Sequence, residues 1–189
     1  MSSDAVVPSL RAEFQRYKAL ADGAMAQLSE QELSTSAPEG NSVAVICWHV
    51  SGNLQSRFTS FLSTDGEKPW RQRDEEFRSR SVTREELVET WEHGWAVLFD
   101  SLATVTDLHL HHTVTIRQQP MTVIEVLHRS LAHTSYHVGQ IVYVAKALRA
   151  GHWKYLSIPP SGSAAYNAAP SMERPSSHVS ALQDRVPRS

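Results

Sequence analysis

The chain has 189 residues, 41% of them hydrophobic and 20% charged, which suits one globular domain with a core of its own and some tail to spare. Eighteen basic side chains against twenty acidic ones leave a net charge of −2, which argues against a sequence-independent nucleic-acid binder with a basic face. The lone cysteine, Cys47, rules out an intrachain disulfide and a thiolate-rich zinc site. With no export signal in the opening MSSDAVVP and no membrane-length apolar run, the expected setting is the reducing cytoplasm, with neither membrane nor nucleic acid as partner.

The first amphipathic pattern runs from about Pro8 to Leu28, with Leu10, Phe14, Tyr17, Ala21, Met25 and Leu28 at spacings of three and four. A polar, proline-containing stretch around 34–41 ends this helix. A second helix starts near Asn41 or Ser42, both good caps, and runs to about Leu62 with Cys47, Val50, Leu54, Phe58 and Phe61 as its apolar stripe. His49 sits off that stripe, with Ser42, Val45, Asn53 and Ser56. Such a face of small and polar residues suits a cavity wall and a solvated surface equally.

Residues 63–82 lack helical periodicity and carry the turn signals Asp65-Gly66 and Lys68-Pro69, so they read as a long crossover. A third helix opens on the capping box Thr83-Arg84-Glu85-Glu86 and buries Leu87, Trp91, Trp95, Leu98 and Leu102. Between Thr104 and Met121 the apolar period drops toward two, through Leu108, Leu110, Val114 and Ile116, which fits a short extended or hairpin-like piece. A fourth helix begins at Thr122, with Glu125 closing a second capping box, and ends near Ala150-Gly151, where glycine suits the left-handed C-terminal position. Beyond Trp153 the chain turns rich in Pro, Ser and Ala, a composition expected to stay disordered or lie loosely over the domain. The expected fold is all-α: a four-helix bundle over residues 1–156, with a long crossover between helices two and three, and a flexible tail over 157–189.

The fourth helix carries the most informative stretch, His133-Thr134-Ser135-Tyr136-His137. Residues four apart lie on one face a turn from each other, so both imidazoles can reach a single ion. They share a stripe with Val126, Ser130, Gln140 and Val144, while Leu127, Leu131, Val138, Val142 and Ala145 lie nearly opposite. A helix apolar on two sides in a four-helix bundle points to a shared contact, hence a homodimer. Burying two imidazoles without partners costs about 1–3 kcal/mol per unsatisfied group, which favours a metal, and side-by-side packing can bring His49 level with the pair as a third ligand. Three imidazoles with an open fourth position describe a working site, whereas four closed ligands describe a structural one.

The remaining candidates have blander readings. His109, His111 and His112 fall in an irregular polar stretch, His93 flanks the third helix's stripe, His128 falls between the fourth helix's two faces, and His152 and His178 lie at or beyond its end. Gln140 lies one turn past His137 and is placed to orient a ligand. Arg57 and Arg117 can bind an anionic group or simply be surface charges, and Glu125 is a cap before it is a general base. Cys47, set among apolar residues, reads as an inert buried thiol. There is no Gly-rich phosphate loop and no nucleophile elbow.

The segment from His133 to Ile141 (HTSYHVGQI), with His49 upstream, resembles the DinB/YfiT-like superfamily of metal-binding four-helix bundles. TDGEKP at 64–69, RQRD at 71–74, Ile116-Arg117 and LSIP at 156–159 look like an uncharacterised branch of it. The likeness covers about residues 8 to 160. It implies a DinB-like bundle, often dimeric, whose histidine triad falls on His49, His133 and His137 and binds a divalent metal, zinc or nickel. Relatives in that superfamily include transferases and isomerases that use low-molecular-weight thiols such as bacillithiol or mycothiol.

An ion on three neutral imidazoles keeps its double charge, so a water there would titrate near pH ~7 and a thiol would be held as thiolate. Three functions follow as expectations: a metal-dependent thiol S-transferase-like or hydrolase-like enzyme acting on a small molecule, a non-catalytic metal-binding or stress-response dimer, or a structural dimer with fortuitous histidines. Imidazole suits zinc, nickel, copper and iron alike, so ligand type leaves the metal open.

Overall fold

The computed structural model describes residues 5–36 and 40–185. The first four positions of the opening read for an export signal, Pro38 of the polar stretch at 34–41, and the end of the tail (186–189) lie outside the described residues. The described elements are, in chain order, α1 (Val6–Met25), α2 (Glu30–Ser34), α3 (Val43–Phe58), α4 (Arg73–Glu76), α5 (Arg84–Thr104), β1 (Thr113–Ile116), β2 (Gln119–Thr122), α6 (Val123–Arg149), α7 (Ser163–Ala168) and α8 (Pro175–Arg185). The fold is mostly α-helical, and the two-stranded hairpin is the sheet among the described residues.

Four long helices close the bundle: α1 packs on α6 and α5, and α3 packs on α5 and α6. Phe14, Leu54, Trp91, Trp95, Leu98, Leu127 and Ile141 fill the space between them, all essentially buried. The Trp95 ring meets Phe14 edge-on at 6.4 Å between centroids. At Gly94, α5 comes so close to α3 that a Cβ there would stand 2.6 Å from Ser51 Cα.

The caps follow the sequence closely. Ser42 accepts from the Val45 amide, and the Thr83/Glu86 and Thr122/Glu125 boxes are reciprocal. A third such box, Ser29 with Glu32, starts α2, a helix the sequence reading passed over. The first turn of α1 has no cap of its own. The Asp107 carboxylate takes the amides of Ala5, Val6 and Val7 at 2.7, 2.9 and 2.9 Å from a hundred residues away.

Three expectations need correction. The second helix stops at Phe58 rather than reaching Leu62, because Thr59 is extended and Ser60 has φ 49°, which turns the chain while Phe61 still buries against Phe58. The crossover holds one helical turn, α4. At the end of α6 the positive φ falls on Ala150 (38°), not on Gly151. Residues 163–185, expected to stay disordered or to lie loosely over the domain, carry two helices, the second of them laid against it. The face of α8 with His178 and Leu182 docks on α1, Met172 buries before it, and His178 Nε2 bonds the Leu156 carbonyl at 2.8 Å. Pro, Ser and Ala give this segment few large apolar groups, but two of them, Met172 and Leu182, are buried along with the hydrogen-bonded His178.

The period-two stretch does form a hairpin, in register Thr113↔Thr122 to Ile116↔Gln119. Its two turn residues, Arg117 and Gln118, have φ of 53° and 63°, the left-handed pair that a two-residue hairpin requires. Asp65 holds them by accepting both amides, at 2.8 and 2.7 Å, together with that of Glu67 at 2.7 Å. These backbone bonds keep its carboxyl well below the usual range. The crossover and the hairpin are thereby tied together over the same end of α3.

Candidate metal centre

His49 reaches the centre from the middle of α3, and His133 and His137 from the middle of α6. Their ligating nitrogens all lie within 4.8 Å of one another. His49 Nε2 and His133 Nε2 are 3.2 Å apart, and the ring centroids are 5.2, 4.7 and 4.6 Å from each other. Two nitrogens at ~2.0–2.1 Å from a tetrahedral zinc would be about 3.3 Å apart, so the pair sits at the spacing an ion would impose. The open question of the small, polar face on the second helix resolves toward a cavity wall, since His49 is 4% exposed.

Two of the rings are oriented from behind. His49 Nδ1 lies 2.9 Å from Glu76 Oε2, and Glu76 is itself gripped by Arg71, Nε to Oε1 at 2.8 Å and Nη2 to Oε2 at 2.9 Å. The carboxylate accepts a hydrogen bond from Nδ1–H, which in the neutral ring turns the Nε2 lone pair toward the other two rings, the arrangement by which carboxylates hold metal-bound histidines. Phe77 lies 4.5 Å from the His49 ring and closes that side. On α6, His137 Nδ1 is 2.7 Å from Gln140 Oε1, which accepts its hydrogen bond in the same way and leaves Nε2 free.

Burial, then the neighbouring His137 and His49, holds the His133 imidazole down to about 3. Burial also lowers His137, partly offset by its bond to Gln140. The unprotonated imidazole is the form a cation binds. Burial alone would raise the Glu76 carboxyl, but the bonds from His49 and Arg71 more than offset it and keep it below the ordinary carboxylate value.

All three sequence-predicted ligands thus come together, and Gln140 is beside them as expected. The two arginines behave differently. Arg57 is buried and donates to the Gly66 carbonyl and to Glu67 Oε2 at 3.1 Å, pinning the crossover. Arg117 donates its Nε to the same Glu67 oxygen at 3.1 Å from an exposed turn. Both nevertheless line a cavity of about 190 Å³ that opens directly on His49 and His133. Cys47 is fully buried with its sulfur 3.4 Å from Met25 Sδ, and burial pushes the thiol well up, as its apolar setting suggested. His109 turns back to its own Thr106 amide at 3.0 Å. Among the described residues, the triad is the one cluster of His, Cys, Asp or Glu with metal-ligand spacing.

Sequence reasoning missed Glu76. It lies in a stretch without periodicity, third in the run Asp74-Glu75-Glu76, and nothing local separates it from its exposed neighbours. The only usable signal was chemical: a metal-bound imidazole needs an acceptor at its second nitrogen.

The family model described as "Protein of unknown function (DUF1572)" matches residues 2–162, nearly the same span as the DinB-like resemblance read from the motifs. No curated protein and no solved structure matches the chain.

Proposed function

Since this chain belongs to the DUF1572 family, whose description assigns no activity, we propose from the site itself a divalent-metal-dependent enzyme of the thiol S-transferase-like or hydrolase-like kind. The observation that carries this reading is the convergence of His49, His133 and His137, with His49 held from behind by Glu76. A bound divalent ion, zinc or nickel, would supply a Lewis acid that lowers the pKa of a thiol or water at neutral pH. The chain's own contribution is positioning. Arg71 and Glu76 fix the His49 tautomer, Gln140 fixes that of His137, and Phe77 and the bundle interior keep water from two sides. The cosubstrate suggested by the resemblance is a low-molecular-weight thiol, and the substrate a small electrophile.

A second reading, a metal-binding or stress-response protein without catalysis, draws on a different observation. The carboxylates nearest the triad are already engaged, Glu76 with His49 and Arg71, Glu67 with Arg57 and Arg117, so neither stands ready as a general base. Metal analysis of protein purified without an affinity tag, alongside His137→Ala, tests the shared premise. One bound ion per chain, lost in the variant, supports it; no metal in either form removes both readings. Transfer assays with small thiols and generic electrophiles, and hydrolysis of model esters, then divide the two.

Homodimerisation is proposed on the exposed face of α6. Both stripes of that helix find much of their cover inside one chain, against α1 and α3, which weakens the two-sided argument. Tyr136 and Tyr143, a heptad apart, remain 64% and 77% exposed and are the residues a second copy would cover. A cytoplasmic setting is proposed on the single buried thiol. No described helix is long and apolar enough to cross a membrane.

A further inference from the structure

The cavity beside the triad has a strongly cationic wall: it is lined by Arg57, Arg71, Arg73, Arg117 and Arg129, with no carboxylate from the described residues in the lining. These arginines come from α3, the crossover, the hairpin turn and α6, so no single amphipathic pattern put them there. Gathering like charges in one concavity costs energy unless something offsets it. Two of the five spend more than one N–H group inside the protein. Arg71 gives two of its N–H groups to Glu76, and Arg57 is bonded to Gly66 and Glu67.

The other three line the cavity with N–H groups that have no hydrogen-bond partner among the described residues. Arg117 spends only Nε on Glu67. The nearest carboxylate to Arg73 is Asp74, 3.6 Å away and 98% exposed, a pairing that water screens heavily. Arg129 stands one turn before His133 on α6 and makes no ion pair among the described residues. Asn53 and Ser130 add neutral polar groups, and Ile116 is the one apolar side chain in the lining.

We propose that this cavity seats the anionic end, a carboxylate or phosphate, of a small co-substrate whose other end meets the histidine triad. The proposal rests on the metal-site reading above for the second half of that sentence and on the arginines alone for the first. Planar guanidiniums with free edges match the oxygens of carboxylate and phosphate in a way lysines do not. The volume, about 190 Å³, is below the ~300–1,000 Å³ of drug-sized ligand sites, so it suits the charged end of a molecule and not a large apolar body. His49 and His133 form part of the same wall, so an anion held by the arginines shares one small cavity with two rings of the triad. The cavity thereby specifies a class within the thiols and esters considered above: those that carry a negative charge close to the reacting atom.

The test is calorimetric and uses the full chain. Mercaptoacetate and 2-mercaptoethanol, two-carbon thiols that differ in their charged end, are titrated into zinc-loaded protein. Inorganic phosphate is titrated into metal-free protein. Both are repeated with Arg129→Gln and with Arg73→Gln/Arg129→Gln, substitutions at exposed positions that leave the bundle core untouched.

The charged thiol is expected to bind about tenfold tighter or more than the neutral one, with the preference largely lost in the double variant. Phosphate is expected to bind the metal-free protein and to weaken by a similar factor. Equal binding of the two thiols, or phosphate binding indifferent to both variants, overturns the proposal while leaving the metal centre standing. Should no zinc bind, arginine-dependent phosphate binding upholds the anion seat while the metal reading falls; without such binding, both fall.

Discussion

Gly52 makes room for Glu76: a Cβ at position 52 would stand 2.2 Å from Glu76 Oε1 and 2.8 Å from its Cδ. The carboxylate that orients His49 can lie against α3 only because the residue one turn of backbone away has no side chain. Glu76 is not free to swing aside, since Arg71 and His49 hold both of its oxygens.

Gly52→Ala is therefore expected to lower metal affinity about 10–100-fold, the cost of losing a partner behind a ligating histidine. Glu76→Gln should fall in the same range, and the two together should show little further loss, because they remove one interaction. Competition with a chromophoric chelator measures this. Wild-type affinity in Gly52→Ala would show that Glu76 does not set the His49 ligand.

Acid stability of the metal-free protein follows from the depressed imidazoles. In the unfolded chain a histidine takes up its proton near 6.5, whereas folded His133 stays neutral down to about 3, and His137 is lowered as well. Between those limits the unfolded state binds more protons, so stability is complete above pH 6.5 and falls as pH drops through the window. Asp65 is a depressed carboxyl, and its contribution starts to be lost only near and below its ordinary value of 3.8. Urea midpoints between pH 7.5 and 4 should decline in wild type and flatten in His133→Gln. An unchanged slope in that variant would place the buried proton-excluding group elsewhere.

The hairpin turn offers a stabilising change. Arg117 and Gln118 both sit at positive φ, a region that costs an ordinary L-residue about 1 kcal/mol and glycine nothing. Gln118→Gly should stabilise the protein by up to about 1 kcal/mol, provided Asp65 still receives the amides. Asp65→Ala should act in the opposite direction, freeing three backbone N–H groups at once. Chemical denaturation of both variants checks the sign, and stabilisation by Asp65→Ala would refute the role assigned to it.

The four long helices, the caps of three of them and the histidine pair on α6 were legible because each is written in local, periodic or i, i+4 patterns. Thr83, Thr122 and Ser42 announce their helices within four residues, and His133 and His137 announce a common face. What was not legible depends on contacts between distant segments. Asp107 caps α1 from a hundred residues along the chain, Asp65 builds a hairpin turn fifty residues away, and Glu76 is chosen over Glu75 only by where α4 lands. The positive φ at Ala150 rather than Gly151 runs against the local preference for glycine in that conformation.

The segment after residue 160 shows the same dependence and carries the last prediction. The family match ends at 162, yet α8 covers α1, with Leu182 and Met172 buried and His178 bonded to the Leu156 carbonyl. Leu156 in turn presses on Gly23 of α1, 3.0 Å from where a Cβ would lie, so the seat of α8 extends through Leu156 into the bundle. A chain ending at residue 162 should lose stability, since Leu182 and Met172 each contribute on the order of 1.5–3 kcal/mol on burial, as an upper bound. Metal affinity should not move, because α3, α6 and the crossover around α4 supply every residue of the centre and α8 docks on α1. A truncated protein as stable as the full chain would mean that α8 sits on α1 without holding it. Lost metal binding in a folded truncation would mean that the tail supports the triad through α1 and α6.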